Sequence, residues 1–219
     1  MTFSILARDA GTGALGGAAA TGSLCVGGWV LRGDSRAGMS ASQGAAPSTL
    51  WGEEVLARMR DGAAAAEAVA AVIAADRGRD WRQLAALDRD GGTAAFTGAK
   101  NTTWHGSLAE DRVVVSGNLL TGPDVLGAML SGYRRATGAL PARLIAALAA
   151  AEAAGGDSRG LQSAALLVVS DDAAPLTLRI DWSEDPVPAL AALLDRTRED
   201  PYAAWLPTVP TRNDPERGG

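Results

Sequence analysis

Strand-like segments in this chain come in couples joined by tight turns, and helical segments come in pairs. That order leaves few architectures open. Residues Thr2–Arg8 alternate, with Thr2, Ser4, Leu6 and Arg8 on one face and Phe3, Ile5 and Ala7 on the other. The turn Asp9-Ala10-Gly11-Thr12-Gly13 sends the chain back along 14–21, a Gly-bounded hairpin. Residues 82–87 and Thr93–Thr97 flank Asp88-Arg89-Asp90-Gly91-Gly92 in the same way. Further strands are expected at 25–31, 38–43, 113–116, 163–170 and 176–182. Helices are expected from a Ser48 or Thr49 N-cap to Arg60, then over 63–75, 124–137 behind Pro123, from Pro141 to Gly155-Gly156, and over 187–198. A doubly wound parallel sheet would alternate strand and helix one for one. Hairpins between helix pairs predict antiparallel sheets with helix layers, an α+β fold.

The return strand adds a constraint. Gly16, Gly17, Ala18, Ala19 and Ala20 follow one another, so another layer or a ligand can approach this backbone closely. The chain of 219 residues suits a single domain, and its 47% apolar content supports a sizeable core. We expect a domain over 1–206 and a disordered tail over 207–219, which is Pro-rich and charged. The net charge of −5 argues against nucleic acid or an anionic membrane as partner. A lone cysteine, Cys25, excludes an internal disulfide framework and a multi-Cys metal site. A signal-peptide pattern is not seen, and no apolar run reaches the ~20 residues that span a bilayer, so a cytoplasmic location is expected. The segment 10–16 superficially matches a dinucleotide fingerprint, but it lies in a hairpin, where the helix N-terminus needed for pyrophosphate is missing. No cofactor is expected.

Thr2 directly follows Met1. Removal of Met1 would give Thr2 a hydroxyl and a free α-amine, and an α-amine titrating near pH ~8 serves as a base at neutral pH. Nucleophile and general base then reside in one residue, without histidine. The plain alternative is that Thr2 is a good strand former.

Several short motifs occur in one order. They are Thr2-Phe3-Ser4-Ile5-Leu6-Ala7-Arg8-Asp9, Arg82-Gln83-Leu84, Phe96-Thr97-Gly98-Ala99 and Gly117-Asn118-Leu119-Leu120, followed by Gly155-Gly156-Asp157-Ser158-Arg159-Gly160 with the strand after it, and Leu178-Arg179-Ile180-Asp181. Together they resemble the DUF1028 family, usually placed in the N-terminal-nucleophile (Ntn) hydrolase superfamily. The resemblance runs through nearly the whole chain. It implies a single-domain, four-layer αββα sandwich of mainly antiparallel sheets. By superfamily analogy it implies hydrolysis of a small-molecule amide or peptide-like bond, a fold-level warrant for function. One departure is Ser42-Gln43, where Thr-Gln is expected.

On that basis Thr2 is the expected nucleophile. Ser4, on the same strand face, is expected to bond the α-amine or a ligand. Asn118 and Gln43 are amide candidates for stabilising an oxyanion. Asp157 and Arg159, two residues apart, can form an ion pair, and Arg159 can alternatively bind a substrate carboxylate. Ser163, His105 and Asp181 are further substrate-contact candidates, each with a structural alternative: a strand hydroxyl, a loop residue and a cross-strand ion pair. A lone His105 without a Cys/His/Glu cluster predicts no metal site. Trp29, Trp51 and Trp205 fall near predicted loops and termini, which fits a homo-oligomer or a covered core edge. The second functional hypothesis is a non-catalytic, small-molecule-binding or oligomeric accessory protein on the same scaffold.

Overall fold

The structure is a computed structural model describing residues 2–218. Met1, whose removal the Thr2 reading needs, and Gly219 lie outside the described residues. Strand β1 (Thr2–Arg8) and strand β2 (Leu15–Thr21) form the first hairpin. A short helix α1 (Val26–Trp29) leads to β3 (Leu31–Asp34) and β4 (Gly38–Gly44). Helices α2 (Thr49–Arg60) and α3 (Ala65–Ala75) follow, then β5 (Arg82–Asp88), β6 (Thr93–Thr97), β7 (Gly106–Glu110) and β8 (Val113–Asn118). Helices α4 (Asp124–Arg135) and α5 (Leu140–Ala153) precede β9 (Ser163–Val169) and β10 (Leu176–Ile180), and α6 (Pro186–Arg196) and α7 (Tyr202–Trp205) close the order.

Two sheets result, one ordered β10-β9-β2-β1-β8-β7 and the other β3-β4-β5-β6, and every strand pairing among the described residues is antiparallel. Three apolar clusters separate four layers. Phe3, Ile5, Leu144, Leu148 and Leu190 pack between the six-stranded sheet and helices α4 to α6. Leu6, Leu15, Met39, Leu87 and Val114 fill the space between the sheets. Trp51, Val55, Val69, Val72 and Leu84 join the four-stranded sheet to α2 and α3. The alternation of β1 thus divides its side chains between two cores. Phe3, Ile5 and Ala7 go to the helix layer, while Leu6, with Thr2 and Ser4 on its face, goes between the sheets.

The small residues of β2 are explained by crowding on both faces. A Cβ on Gly16 would lie 2.8 Å from Leu144 of α5, and one on Gly17 would lie 2.8 Å from Leu6 and 3.1 Å from Leu31 of the facing sheet. These contacts are closer than side chains tolerate, so β2 is the strand over which both neighbouring layers close.

Two parts of the architecture differ from the sequence reading. Residues 25–31 were expected as one strand; instead Cys25 takes a left-handed conformation (φ 60), Val26–Trp29 turns as a helix, and the strand begins at Leu31. Tertiary contacts decide this: Ser163 Oγ accepts from Val26 N (3.1 Å), and the Arg179 side chain lies across Gly27 and Gly28, where a Cβ would meet it. β7 has no counterpart in the sequence reading, because it is an edge strand whose Leu108 is exposed and which shows no apolar alternation. Contacts are also made within 207–218. Thr211 is buried, Asn213 N donates to Asp171 O (3.1 Å), and Arg212 pairs with Asp34 (3.7 Å) and Asp171 (3.5 Å). Among the described residues, no helix is long and apolar enough to cross a membrane. Trp51 is a core residue packed edge-on to Phe96 (6.2 Å between ring centroids), while Trp29 and Trp205 are exposed.

Candidate functional site

Thr2 heads a central strand. Across one ladder it faces Thr21 of β2 and across the other it faces Asn118 of β8. Its hydroxyl donates to Thr21 Oγ1 (3.3 Å). Its carbonyl accepts from Gln43 Nε2 (3.2 Å), which reaches across from β4 of the opposite sheet. Thr2, Thr21 and Gln43 therefore sit where the two sheets meet at one end of the sandwich, and all three line a cavity of about 540 Å³. That volume suits a small organic ligand. Leu24, Val26, Trp29, Val30, Ala45 and Pro47 give it an apolar side; Ser23, Thr102 and Arg159 add polar groups.

Beneath Thr2 lies an amide network that the sequence did not reveal. Gln83 of β5 is fully buried. Its Oε1 accepts from Gln43 Nε2 (2.7 Å) and Asn118 Nδ2 (3.1 Å). Its Nε2 lies within hydrogen-bond distance of Thr97 Oγ1 (2.8 Å), Gly117 O (2.9 Å) and Gly106 O (3.0 Å), so two hydrogens serve three acceptors. Gln83 thereby ties both sheets together at the strand ends that carry Thr2 and Asn118. Both N–H groups of Gln43 are committed, to Thr2 O and Gln83 Oε1; Asn118 Nδ2 gives one hydrogen to Gln83.

Four buried polar atoms here have no partner among the described residues: Gln43 Oε1, Asn118 Oδ1, Ser4 Oγ and Ser116 Oγ. Ser4 and Ser116 are opposite one another in the β1–β8 ladder, two residues below the Thr2–Asn118 pair and therefore on the same sheet face. Buried polar side chains concentrate at this strand end, where Thr2, Ser4, Gln43, Gln83, Ser116 and Asn118 are all buried.

The cavity wall is built by a second set of predicted residues. The Asp157 side chain is fully buried and accepts from Gly22 N (2.7 Å), Arg159 N (2.9 Å), Arg159 Nε (3.2 Å) and Arg159 Nη2 (3.1 Å). Gly22 is required there, because a Cβ would stand 2.5 Å from Gly160 O and 3.0 Å from both Asp157 carboxylate oxygens. Arg159 Nη1 donates to Ser23 Oγ (3.2 Å) on the lining. Ser163 Oγ donates to Ser23 O (2.7 Å) while accepting from Val26 N, so it holds the turn at 23–26 and does not itself line the cavity. Two non-glycine residues with positive φ flank the site, Cys25 (φ 60) before α1 and Leu119 (φ 50) directly after Asn118. Leu119 N donates to Thr102 O (2.9 Å) and Leu119 O accepts from Ser158 N (3.2 Å), so its strained backbone joins the two loops carrying Thr102 and Arg159.

Of the predicted site residues, then, Thr2, Gln43 and Arg159 line one cavity, Ser4 and Asn118 lie in the polar layer beneath it, and Asp157 and Ser163 brace its wall. His105 and Asp181 stand apart from the lining. His105 is half-buried beside Trp104, whose backbone pairs with Leu120. Asp181 pairs with Arg179 (2.9 Å), and its carbonyl accepts from Cys25 N (3.0 Å), so it supports the turn into α1 from behind. Gln83, Thr21 and Ser116 were missed as site residues. Gln83 carried a signal, as an amide directly ahead of the apolar run Leu84-Ala85-Ala86-Leu87.

A family model described as "Family of unknown function (DUF1028)" matches residues 2–190. The chain belongs to the DUF1028 family. It is also similar to a solved protein of Silicibacter pomeroyi assigned to the same family, with 54% sequence identity and a TM-score of 0.95, covering 99% of this chain and 95% of that one. A comparison with curated proteins returned no match. The match spans every element from β1 into α6, so both the Thr2 strand end and the Asp157–Arg159 loop are family territory.

Proposed function

We propose that this DUF1028 protein is an Ntn-type amidohydrolase that uses Thr2, made N-terminal by removal of the chain ahead of it, as nucleophile and base. One observation carries the reading: Thr2 opens a central strand at the floor of a ligand-sized cavity, with its hydroxyl among lining residues and its carbonyl held from the opposite sheet by Gln43. In this scheme Thr2 Oγ1 attacks the substrate carbonyl carbon, and the unprotonated α-amine accepts the hydroxyl proton. The amine then passes that proton to the leaving nitrogen as the C–N bond breaks, leaving an ester on Thr2. Water adds to the ester carbonyl, its proton again taken by the α-amine. Collapse releases the acid and restores the Thr2 hydroxyl.

The facing amide supports the scheme. A free α-amine at Thr2 stands at a strand end where Asn118, directly opposite, has a buried amide oxygen suited to accept from it. Asn118 Nδ2 keeps a second N–H beyond the one given to Gln83, which suits a developing oxyanion. Gln43, with both N–H groups in use, acts by positioning Thr2. The test is turnover of an amide panel by the wild type and by Thr2→Ala and Thr2→Ser. Loss of hydrolysis in the alanine variant with partial retention in the serine variant is expected. Full turnover by Thr2→Ala would overturn the assignment, and ligand binding without turnover in the wild type would favour the non-catalytic reading.

A further inference from the structure

Groups that can only accept decide which way each amide beneath Thr2 is turned. One end of the Gln83 side chain lies within hydrogen-bond distance of two backbone carbonyls, Gly117 O (2.9 Å) and Gly106 O (3.0 Å). A carbonyl cannot donate, so that end is Nε2 and the other end is Oε1. Oε1 cannot donate either, so the ends of Gln43 (2.7 Å) and Asn118 (3.1 Å) that meet it are their NH2 groups. Gln43 gives the same answer from a second contact, because the Thr2 carbonyl (3.2 Å) also requires a donor. The Oδ1 arm of Asn118 is therefore turned away from Gln83. The two ends of a carboxamide are nearly equal in shape, and the torsion that exchanges them is soft, so an unheld Asn118 can present either one. All three amides are buried. Asn118 stands directly opposite Thr2 in the β1–β8 ladder, where paired side chains share a face and lie close together.

We propose that Gln83 is a positioning residue of the Thr2 site, holding Asn118 with Oδ1 toward the Thr2 α-amine and with the second Nδ2 hydrogen kept for a substrate oxygen. The inference rests on the reading of Thr2 as an N-terminal residue and adds what orients its neighbour. Gln83 does not line the cavity and acts through Asn118 and Gln43. An acceptor aimed at the amine favours its ammonium form, so a held Asn118 raises the pH at which the free base appears, and a loosened one lowers it. Among the described residues, the ionisable side chains around this strand end are Arg159 on the wall, Asp157 that clasps it, and Cys25 and His105 at the edges. Gln83 bonds none of them, so a shift on replacing it is carried by Asn118 and Gln43.

The experiment uses the full chain released from a fusion cut directly ahead of Thr2, so that Thr2 is the first residue. Competitive labelling with acetic anhydride across the range where an α-amine titrates, around pH ~8, gives the midpoint at which the amine becomes reactive. Mass spectrometry of the N-terminal peptide reads it. Lys100, the chain's one lysine, bears the other primary amine and reports the reagent dose. Gln83→Met, similar in shape but without the amide, should lower the midpoint by about one pH unit, the size of a hydrogen bond to a charged group. The wild type supplies a readout that survives if this variant fails to fold. By NMR, its Asn118 Cγ signal should shift with the same midpoint as the amine, and its Gln83 Nε2 hydrogens should exchange slowly with solvent. An Asn118 signal indifferent to the amine, fast exchange at Gln83, or an unchanged or raised midpoint in folded Gln83→Met would overturn the proposal. An Asn118 signal that follows the amine in a chain that hydrolyses no amide would sink the hydrolase reading and leave this inference standing. Thr2-dependent hydrolysis with an indifferent Asn118 would do the reverse.

Discussion

Gln83→Leu is the most informative substitution away from the cavity lining. Replacing a buried amide by an aliphatic side chain of similar size is often harmless when the amide's partners are weak. Here the structure predicts a sizeable loss. The substitution removes the acceptor that holds Asn118 Nδ2 (3.1 Å) and one of the two acceptors of Gln43 Nε2 (2.7 Å). An orphaned buried amide donor costs about 1–3 kcal/mol, and each of the other lost bonds contributes about 1 kcal/mol. The new apolar contact returns roughly 1 kcal/mol. The net loss is about 3–5 kcal/mol. With a urea m-value near 2 kcal/mol/M, the unfolding midpoint should fall by about 1.5–2.5 M at unchanged slope. Urea unfolding followed by circular dichroism measures this. A midpoint within about 0.2 M of wild type would mean that the amides around Gln83 are not a mutually satisfied network. The argument that this network fixes the Thr2 strand end would then fail.

Gly22→Ala should cost about 1–3 kcal/mol in the same assay, because its Cβ meets the Gly160 carbonyl, which is backbone and cannot swing aside. Acid should destabilise the fold below about pH 4. A hydrogen bond from Arg82 holds the Asp76 carboxyl below its usual range, and a backbone N–H from Thr12 does so for Asp9, so the stability they contribute is present above the unfolded value and is lost as pH falls through the lower folded one. Asp76→Asn should therefore flatten the acid limb of the Tm–pH curve. Glu152 runs the other way: burial, with the Asp185 charge, pushes its carboxyl up, so its ionisation opposes folding as pH rises. Glu152→Gln should raise Tm at pH 7 and leave it nearly unchanged at pH 4.

Antiparallel hairpins and paired helices were legible because their signals are local, whereas the four-layer order came from the family resemblance. The two-faced alternation of β1, the Gly-bounded turn to β2, the Ser48 cap of α2 and the run of small residues in β2 each say what they do within a few residues. The end of the hairpin at 25–31 was misread because Val26-Gly27-Gly28-Trp29-Val30-Leu31 has strand composition, and its turn is imposed by Ser163 and Arg179 from strands more than 130 residues further along the chain. The site divides along the same line. Thr2 could be singled out from its place in the chain, and Asp157 with Arg159 from their spacing. Gln83 meets Gln43, Thr97 and Asn118 only after two sheets have formed, so no window of sequence contains the network. His105 and Asp181 illustrate the converse. Each has a chemically suitable side chain, but one is set beside the Trp104–Leu120 backbone pair and the other behind α1, away from the cavity.

The central claim is that Thr2 works through its own amine, and the mass of the mature N-terminal peptide tests it most directly. Protein expressed without an N-terminal tag and digested for mass spectrometry should yield a peptide beginning Thr2-Phe3-Ser4 with an unmodified α-amine. A mature protein that retains Met1, or any residue ahead of Thr2, would leave an amide where the base is required and would contradict the account.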